Sequence, residues 1–141
     1  MSTDAPTPKS RNEAVIEEFR ANKGKVGGFF EGAALLLLTT VGARSGRPHT
    51  TPAVYVRDGD TVAVAASYAG APKHPAWYHN LVANPEVTVE IGAEKYQATA
   101  VPAEGAERDR LFALMVAENP RFNDYAEKTT RVIPMVVLRA H

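Results

Sequence analysis

The sequence predicts a mainly antiparallel β fold with flanking helices, in which a closed barrel carries the helices on its outside. About six short segments are rich in apolar and β-branched residues, and hairpin turns join most of them. About three or four further segments have apolar residues at helical spacing. The chain has 141 residues and 45% hydrophobic composition, which suits one globular domain with its own core.

Turn residues separate the predicted strands. Four consecutive leucines open the first strand and indicate burial on both of its faces. Asp58-Gly59 is a strong hairpin signal. In the fourth strand Val87, Val89 and Ile91 alternate with Glu86, Thr88 and Glu90, as in a half-exposed strand. The predicted strands are residues 35–41, 48–57, 61–67, 86–91, 95–101 and 133–138.

Helical segments flank these strands. Asn12 is a candidate N-cap for a first helix that ends near residue 22, and the polar residues 1–10 before it are expected to be loose. We therefore divide the chain into an N-terminal tail and helix, residues 1–23, and a single barrel domain, residues 24–141. A glycine-rich loop is predicted within residues 24–32. Further helices are predicted at residues 76–83 and 104–118, and a short helix or loop at residues 122–128.

Composition narrows the functional classes. The chain has no cysteine, which excludes disulfides, thiolate catalysis and cysteine-ligated metals. Its 16 basic and 16 acidic residues cancel, whereas a general nucleic-acid binder is usually basic. The longest apolar run, residues 33–38, is too short to span a bilayer, and the N-terminus lacks the apolar stretch of a signal peptide. A cytoplasmic protein is expected.

Charge is distributed unevenly. Between Gly32 and Pro85 the only acidic residues are Asp58 and Asp60, which share one turn. Such a region could attract anions, or it could be core strand with few charges of any kind, and composition leaves both interpretations open. The basic residues of the same stretch are Arg44, Arg47, Arg57, Lys73, His49, His74 and His79.

Four motifs in register resemble the deazaflavin-dependent nitroreductase family. They are LLTTVGARSGRP at residues 37–48, VAASYAG at 64–70, HPAWYHNL at 74–81 followed by Asn84-Pro85, and IPMVVL at 133–138. The resemblance implies a split β-barrel like that of FMN-binding proteins, often a homodimer. It also implies coenzyme F420, an 8-hydroxy-5-deazaflavin with a phosphate and an oligoglutamate tail. The implied activity is hydride transfer to a quinone, a nitro compound or an activated enone.

The turn after the leucine-rich strand suits an anionic tail. Glycines free its backbone N–H groups, and Arg44 and Arg47 carry guanidinium forks that match phosphate or carboxylate. By resemblance, Arg44, Ser45 and Gly46 contact the phosphate and tail. His49 stands where relatives often carry arginine, a departure that weakens or pH-tunes one anion contact. The alternative is a polar hairpin tip with solvated charges.

The resemblance also implies a wall for the flat ring. Small residues between Ala65 and Ala71 allow backbone to approach a planar ligand, with Trp77 covering it and Asn80 reaching it. The alternatives are a surface role for Lys73 and a core role for Trp77. The predicted cofactor-binding residues are Arg44, Ser45, Gly46, Pro48, His49, Ala65, Ala66, Ser67, Ala69, Gly70, Lys73, Ala76, Trp77 and Asn80.

By the same resemblance, residues 122–125 match the family's aromatic segment over the acceptor pocket. The pocket is therefore expected at Phe122, Tyr125 and Trp77, with Tyr125 or solvent as the proton source. Phe122 stands where some nitroreductive relatives carry tyrosine, which puts activity on nitroimidazole-type substrates in doubt. Alternatively, Phe122 and Tyr125 simply pack the last helix onto the barrel. His74 and His79 are five residues apart, which does not fit a helical metal pair, and no metal site is expected.

Two alternative functions stay open. The first is a split-barrel oxidoreductase that uses FMN, or a non-catalytic carrier of another flat ligand. The second is an interaction module that binds a membrane surface weakly through a helix face formed by Val15, Ile16 and Phe19. Glu13 and Glu17 on the same helix oppose attraction to anionic lipid. Nucleic acid is not an expected partner.

Overall fold

The fold is a closed barrel of six antiparallel strands, in the order β1-β2-β3-β6-β5-β4. It is seen in a computed structural model that describes residues 8–27 and 34–141. The strands are β1 (Leu35–Val41), β2 (Pro48–Asp58), β3 (Thr61–Ala65), β4 (Glu86–Ile91), β5 (Glu94–Pro102) and β6 (Met135–Ala140). The helices are α1 (Pro8–Ala21), α2 (Ala76–Ala83), α3 (Gly105–Glu118) and α4 (Arg121–Lys128), with one 3₁₀ turn at Tyr68–Gly70.

The predicted barrel with flanking helices is confirmed. Helix α1 corrects the expected N-cap at Asn12, because it already begins at Pro8, and proline is well tolerated in the first turn of a helix. Strand β3 ends at Ala65, two residues before the predicted end, and the last strand runs over Met135–Ala140, two residues later than predicted at both ends. Residues 1–7 and 28–33, which include part of the predicted loop, lie outside the described residues.

The four leucines of β1 are buried on both faces, as predicted. Leu36 and Leu38 belong to the cluster inside the barrel. Leu35 and Leu37 face the other way and pack against Phe19 of α1, which is 1% exposed. Successive side chains of a strand point to opposite faces, so the leucine run joins the barrel interior to the helix outside it.

Helix α1 is fixed to the barrel by an ion pair as well as by packing. Arg20 donates two hydrogen bonds to Glu90, from Nε at 3.1 Å and from Nη2 at 2.7 Å. The prediction that Glu90 lies on an exposed face is wrong, because this side of β4 is covered by α1 and Glu90 is only 8% exposed. Val15 and Ile16 also pack on the barrel, so the proposed membrane-binding face of this helix is covered.

The first half of β2 pairs with a strand on one side only, which leaves an opening beside the closed barrel. Residues 48–54 pair with β1, whereas β3 pairs only with residues 55–58. The amide of Tyr55 donates to Ala34 at 2.9 Å, so the alternation of an antiparallel ladder turns the backbone groups of Thr50 and Pro52 away from β1. Pro52 has no N–H and therefore loses no hydrogen bond at this edge. No described helix is long and apolar enough to cross a membrane.

Candidate active site

A cavity of about 980 Å³ lies at this opening. Its walls are β2, the segment between β3 and α2, helix α2, helix α4 and the turn between β1 and β2. The lining residues are Gly42, Ala43, Arg44, Ser45, His49, Thr50, Thr51, Pro52, Ala53, Val54, Ala65, Ser67, Tyr68, Pro75, Ala76, Trp77, His79, Asn80, Arg121, Phe122 and Tyr125.

The lining combines basic, neutral polar and apolar residues. Arg44, Arg121, His49 and His79 contribute to it, and none of the described lining residues is Asp or Glu. A cavity lined by bases without acids favours an anionic ligand. The lining also contains apolar residues, which suit the planar part of a ligand; they include Ala53, Val54, Ala65, Ala76 and Trp77.

The turn between β1 and β2 is held in shape by its own hydrogen bonds. Gly42 N–H donates to Arg47 O at 2.8 Å, and Gly46 N–H donates to Gly42 O at 3.0 Å. Arg47 N–H donates to Ser45 Oγ at 3.1 Å. The N–H groups of Gly42 and Gly46 are therefore used within the turn, which corrects the expectation for these two donors, whereas an anion contact by the N–H groups of Arg44 and Ser45 stays a prediction. The charged and hydroxyl side chains of Arg44 and Ser45 remain exposed.

Asn80 of α2 contacts this turn directly. Its Oδ1 accepts a hydrogen bond from Ala43 N–H at 3.0 Å. Its Nδ2 donates to Oγ1 of Thr40, a fully buried residue, at 3.2 Å. The amide thus links helix, strand and turn, and it lies on the cavity wall beside Trp77. A side chain engaged at both ends can orient the turn even where it also borders a ligand.

Six of the predicted cofactor residues are not among the lining residues. Ala66 is fully buried, and Gly46, Pro48 and Lys73 are exposed away from the cavity wall. The side chain of Ala69 lies outside the described residues. Arg44, Ser45, His49, Ala65, Ser67, Ala76, Trp77 and Asn80 do line the cavity.

Gly70, the sixth, approaches a helix rather than the cavity. It has a φ of +81°, and a Cβ at this position would lie 2.8 Å from Tyr125 O and 3.0 Å from Lys128 Cβ. The contact with α4 therefore requires glycine at this position, and the expected approach of Gly70 to a planar ligand stays a prediction.

Phe122, Tyr125 and Trp77 pack in or against the core and also line the cavity. Phe122 is 5% exposed and belongs to a core cluster with Leu111 and Met115. Its ring lies 5.3 Å from that of Tyr125, at 80°, an edge-to-face geometry. Trp77 packs on the barrel core. All three aromatic residues also line the cavity, so the two interpretations of each are compatible.

Several residues at the site had no signal in their immediate sequence. Residues 50–54 line the cavity because β2 continues beyond its pairing with β3. The sequence feature that indicates this is Pro52, since proline within a strand favours an edge position. Arg131 contacts the loop before α2 and the ring of His74, whose Nδ1 lies 2.9 Å from Nη1. Burial first, then the charges of Arg131 and His79, lowers the pKa of His74. Among the described residues no group of three or more potential ligands could hold a metal ion.

The cavity fits a long, flat, anionic coenzyme. Its volume is at the upper end of the range for small-molecule sites, roughly 300–1,000 Å³. The exposed bases of its lining match a phosphate and a carboxylate tail, and its apolar residues match a ring. Arg44 and Ser45 would hold the tail, and Ala65, Ala76 and Trp77 would flank the ring.

Comparison with known proteins identifies the family. The model of the F420H2-dependent quinone reductase family matches residues 10–140. A Mycobacterium tuberculosis F420H2-dependent quinone reductase is 40% identical over 124 residues, which is 85% of this chain and 83% of that protein. The solved structure of an F420H2-dependent reductase, FDR-A, is 38% identical with a TM-score of 0.70, covering 75% of this chain and 94% of that one. A structure described as a domain-swapped dimer is 33% identical with a TM-score of 0.72, covering 94% of this chain and 100% of that one. The chain therefore belongs to the F420H2-dependent quinone reductase family.

Proposed function

We propose that the chain reduces a quinone or another electron-poor acceptor with coenzyme F420 bound in the cavity along β2. Membership of the family supports the assignment as an oxidoreductase and the identity of the coenzyme. The observation that supports the site is the described lining, which combines basic residues with apolar and aromatic ones and includes no Asp or Glu. Nitro compounds and activated enones are further candidate acceptors.

The protein's part is binding, orientation and protection from water. When bound, the coenzyme supplies two-electron hydride chemistry. Arg44, with Ser45 beside it, binds the anionic tail, and His49 adds a hydrogen-bonding group that lies 3.3 Å from Ser45 Oγ. Trp77 and Ala76 border the ring and limit the access of water. Holding donor and acceptor together in a fixed orientation is the main catalytic contribution of such a site.

The acceptor occupies the end of the cavity nearest α4. Phe122 and Tyr125 form an aromatic wall there, and planar acceptors such as quinones pack well on aromatic side chains. The hydroxyl of Tyr125 can donate the proton that the reduced acceptor requires, and solvent at the cavity mouth is the other source. Phe122 lacks a hydroxyl, so we expect nitroimidazole-type compounds to be poor substrates.

Titration with oxidised coenzyme F420 tests the site. Trp77, the only tryptophan, reports binding through its fluorescence. We expect Arg44→Ala to raise the Kd by about tenfold or more at low salt, since a charge-assisted contact is lost. High salt should reduce this difference because it screens the tail. Turnover at saturating coenzyme should change less than the Kd.

Arg139→Ala is the matched control, because Arg139 is an exposed arginine that lines a separate small cavity. Equal affinity in wild type and Arg44→Ala would contradict the proposed anion site. Parallel titration with FMN tests the alternative cofactor: tighter binding of FMN than of F420 would favour it. An acceptor panel with the reduced coenzyme then separates an enzyme from a carrier.

We further propose a homodimer in the cytoplasm. One similar structure is described as a domain-swapped dimer, and sedimentation of this chain would measure its own state. Weak contact with the inner face of a membrane remains a proposal, and it would have to use a surface other than the covered face of α1. Flotation with anionic vesicles tests it.

A further inference from the structure

Arg131 forms hydrogen bonds with a segment that lines the cavity, but Arg131 is not itself among the lining residues. Residues 66–75, here called the wall loop, connect β3 to α2. The guanidinium of Arg131 donates to Ala71 O at 2.8 Å, to Ala66 O at 3.1 Å and to Ser67 O at 2.6 Å. It also lies 2.9 Å from Nδ1 of His74. Four groups of the wall loop thus meet one side chain that lies about sixty residues further along the chain.

The wall loop has a backbone conformation that needs such support. Tyr68 has a φ of +46° and Gly70 a φ of +81°. A tyrosine in the left-handed region is strained, and strain of this kind persists only where the surroundings hold it. The carbonyls bound by Arg131 flank this turn on both sides, at Ser67 and Ala71.

The held conformation sets the shape of the cavity. Ser67, Tyr68 and Pro75 of the wall loop line it, whereas Arg131 is not among the lining residues. Gly70 meanwhile packs against the backbone of α4 at Tyr125. The wall loop therefore connects two parts of the proposed site, the wall beside the ring and the aromatic wall of the acceptor.

We infer that Arg131 is a positioning residue that holds the wall loop in the conformation required by the cavity. The inference rests on the proposed function for its consequence in binding. It does not require Arg131 to touch coenzyme or acceptor. The planar guanidinium is suited to this role, because its donors point in fixed directions toward separate acceptors.

Lysine at this position separates charge from geometry. Arg131→Lys keeps the positive charge, but its three donors share one nitrogen and cannot replace the separate Nε, Nη1 and Nη2 atoms that bind Ala71, Ala66 and Ser67. A matched control is available in Arg108, which donates through Nε at 3.0 Å and Nη2 at 2.8 Å to the carbonyl of Ile133. Arg108→Lys removes a similar fork whose acceptor, the carbonyl of Ile133, lies outside the wall loop.

Hydrogen exchange of the coenzyme-free protein provides a readout independent of activity. The amides of Gly70 and Ala71 donate within the wall loop, to Ser67 O and Tyr68 O. We expect Arg131→Lys to accelerate exchange of these two amides by about tenfold or more, because charged hydrogen bonds are lost. Arg108→Lys should leave them unchanged even where it lowers the melting temperature equally.

Binding of oxidised coenzyme F420 is measured on the same proteins. Arg131→Lys should raise the Kd by about tenfold, and Arg108→Lys should not. Equal exchange and equal affinity in the two variants would overturn the inference. If Arg131→Lys does not fold, His74→Ala removes one partner of the guanidinium: faster exchange at Ala71 supports the inference, and unchanged exchange overturns it. Failure of wild type to bind the coenzyme would instead count against the proposed function, and the exchange result would stand separately.

Discussion

Asn80 on α2 accepts a hydrogen bond from the backbone N–H of Ala43 at 3.0 Å, and this contact joins the helix to the turn that carries Arg44. The same amide donates to the buried Thr40 at 3.2 Å. The resemblance of its motif to those of the family implies that Asn80 reaches the coenzyme. Its two contacts give it an additional role, since they fix the position from which Arg44 extends.

Asn80→Asp should weaken coenzyme binding more than Asn80→Ala. Aspartate keeps the acceptor for Ala43 but places a negative charge beside the proposed tail site and cannot donate to Thr40 when ionised. We expect the Kd of Asn80→Asp to exceed that of Asn80→Ala by several-fold at low salt, with the gap closing as salt screens the charge. Fluorescence titration at two salt concentrations measures both.

Gln97→Ala serves as the control for this pair of variants. The side chain of Gln97, on β5, forms exposed hydrogen bonds with that of Thr88 on the neighbouring strand β4. Its coenzyme affinity should equal that of wild type. If the aspartate variant binds the coenzyme as well as the alanine variant at low salt, an anionic tail does not lie near this turn.

Tyr125→Phe should slow acceptor reduction without weakening the coenzyme complex. The change removes only a hydroxyl, and the edge-to-face packing on Phe122 is kept. General acid groups commonly contribute about 10²–10⁴-fold, and access of solvent to the cavity brings the expected loss down to about tenfold. Stopped-flow reduction of a quinone gives the rate, and titration gives the Kd. An unchanged rate would assign the proton to solvent.

The barrel was predictable because its signals are local. Hairpin turns such as Asp58-Gly59 and the alternation in β4 depend on neighbours in sequence. The signals of helix α2 are also local, and this helix was predicted with its observed bounds, Ala76–Ala83. Burial of Glu90 was not predictable, because its partner Arg20 lies seventy residues earlier. A strand pattern reports which face a residue occupies and does not report whether another element covers that face.

The site shows the same division between local and distant information. The turn with Arg44 and the aromatic residues Trp77 and Tyr125 stand in recognisable motifs, and they line the cavity. Gly70 was recognised as a residue that permits close approach, but the approaching group is α4. Glycine indicates that something comes near, and the sequence does not say what.

His74 should make folding stability depend on pH. Burial, followed by the charges of Arg131 and His79, lowers its pKa from 6.5 in the folded protein. Below pH 6.5 His74 takes up a proton in the unfolded chain but not yet in the folded protein. The stability that His74 contributes is therefore complete above pH 6.5, and it is lost as the pH falls toward the lower pKa of the folded protein. One such proton changes stability by at most about 1.4 kcal/mol per pH unit.

Urea unfolding of wild type and His74→Gln between pH 5 and pH 7.5 isolates this contribution. Wild type should lose more stability than the variant as the pH falls, since glutamine does not titrate. The variant should be the less stable protein at pH 7.5, where the contact with Arg131 is intact in wild type. Parallel pH profiles in the two proteins would remove His74 as the titrating group.

Gly70→Ala should destabilise the protein and disturb the acceptor end of the cavity. Both Gly70 and Gly59 have a positive φ, +81° and +63°, but a Cβ at Gly59 meets nothing within 4 Å, whereas one at Gly70 would lie 2.8 Å from Tyr125 O. Gly59→Ala therefore costs only the left-handed backbone term, about 1–2 kcal/mol. Gly70→Ala adds a steric clash with the helix that carries Phe122 and Tyr125, so its loss of stability should be the larger. A shift of α4 or of the wall loop relieves the clash, and both line the cavity. Gly70→Ala should therefore also raise the KM for the acceptor, which Gly59→Ala should leave unchanged. Equal losses of stability with equal KM values would mean that the wall loop and α4 are not in close contact in solution.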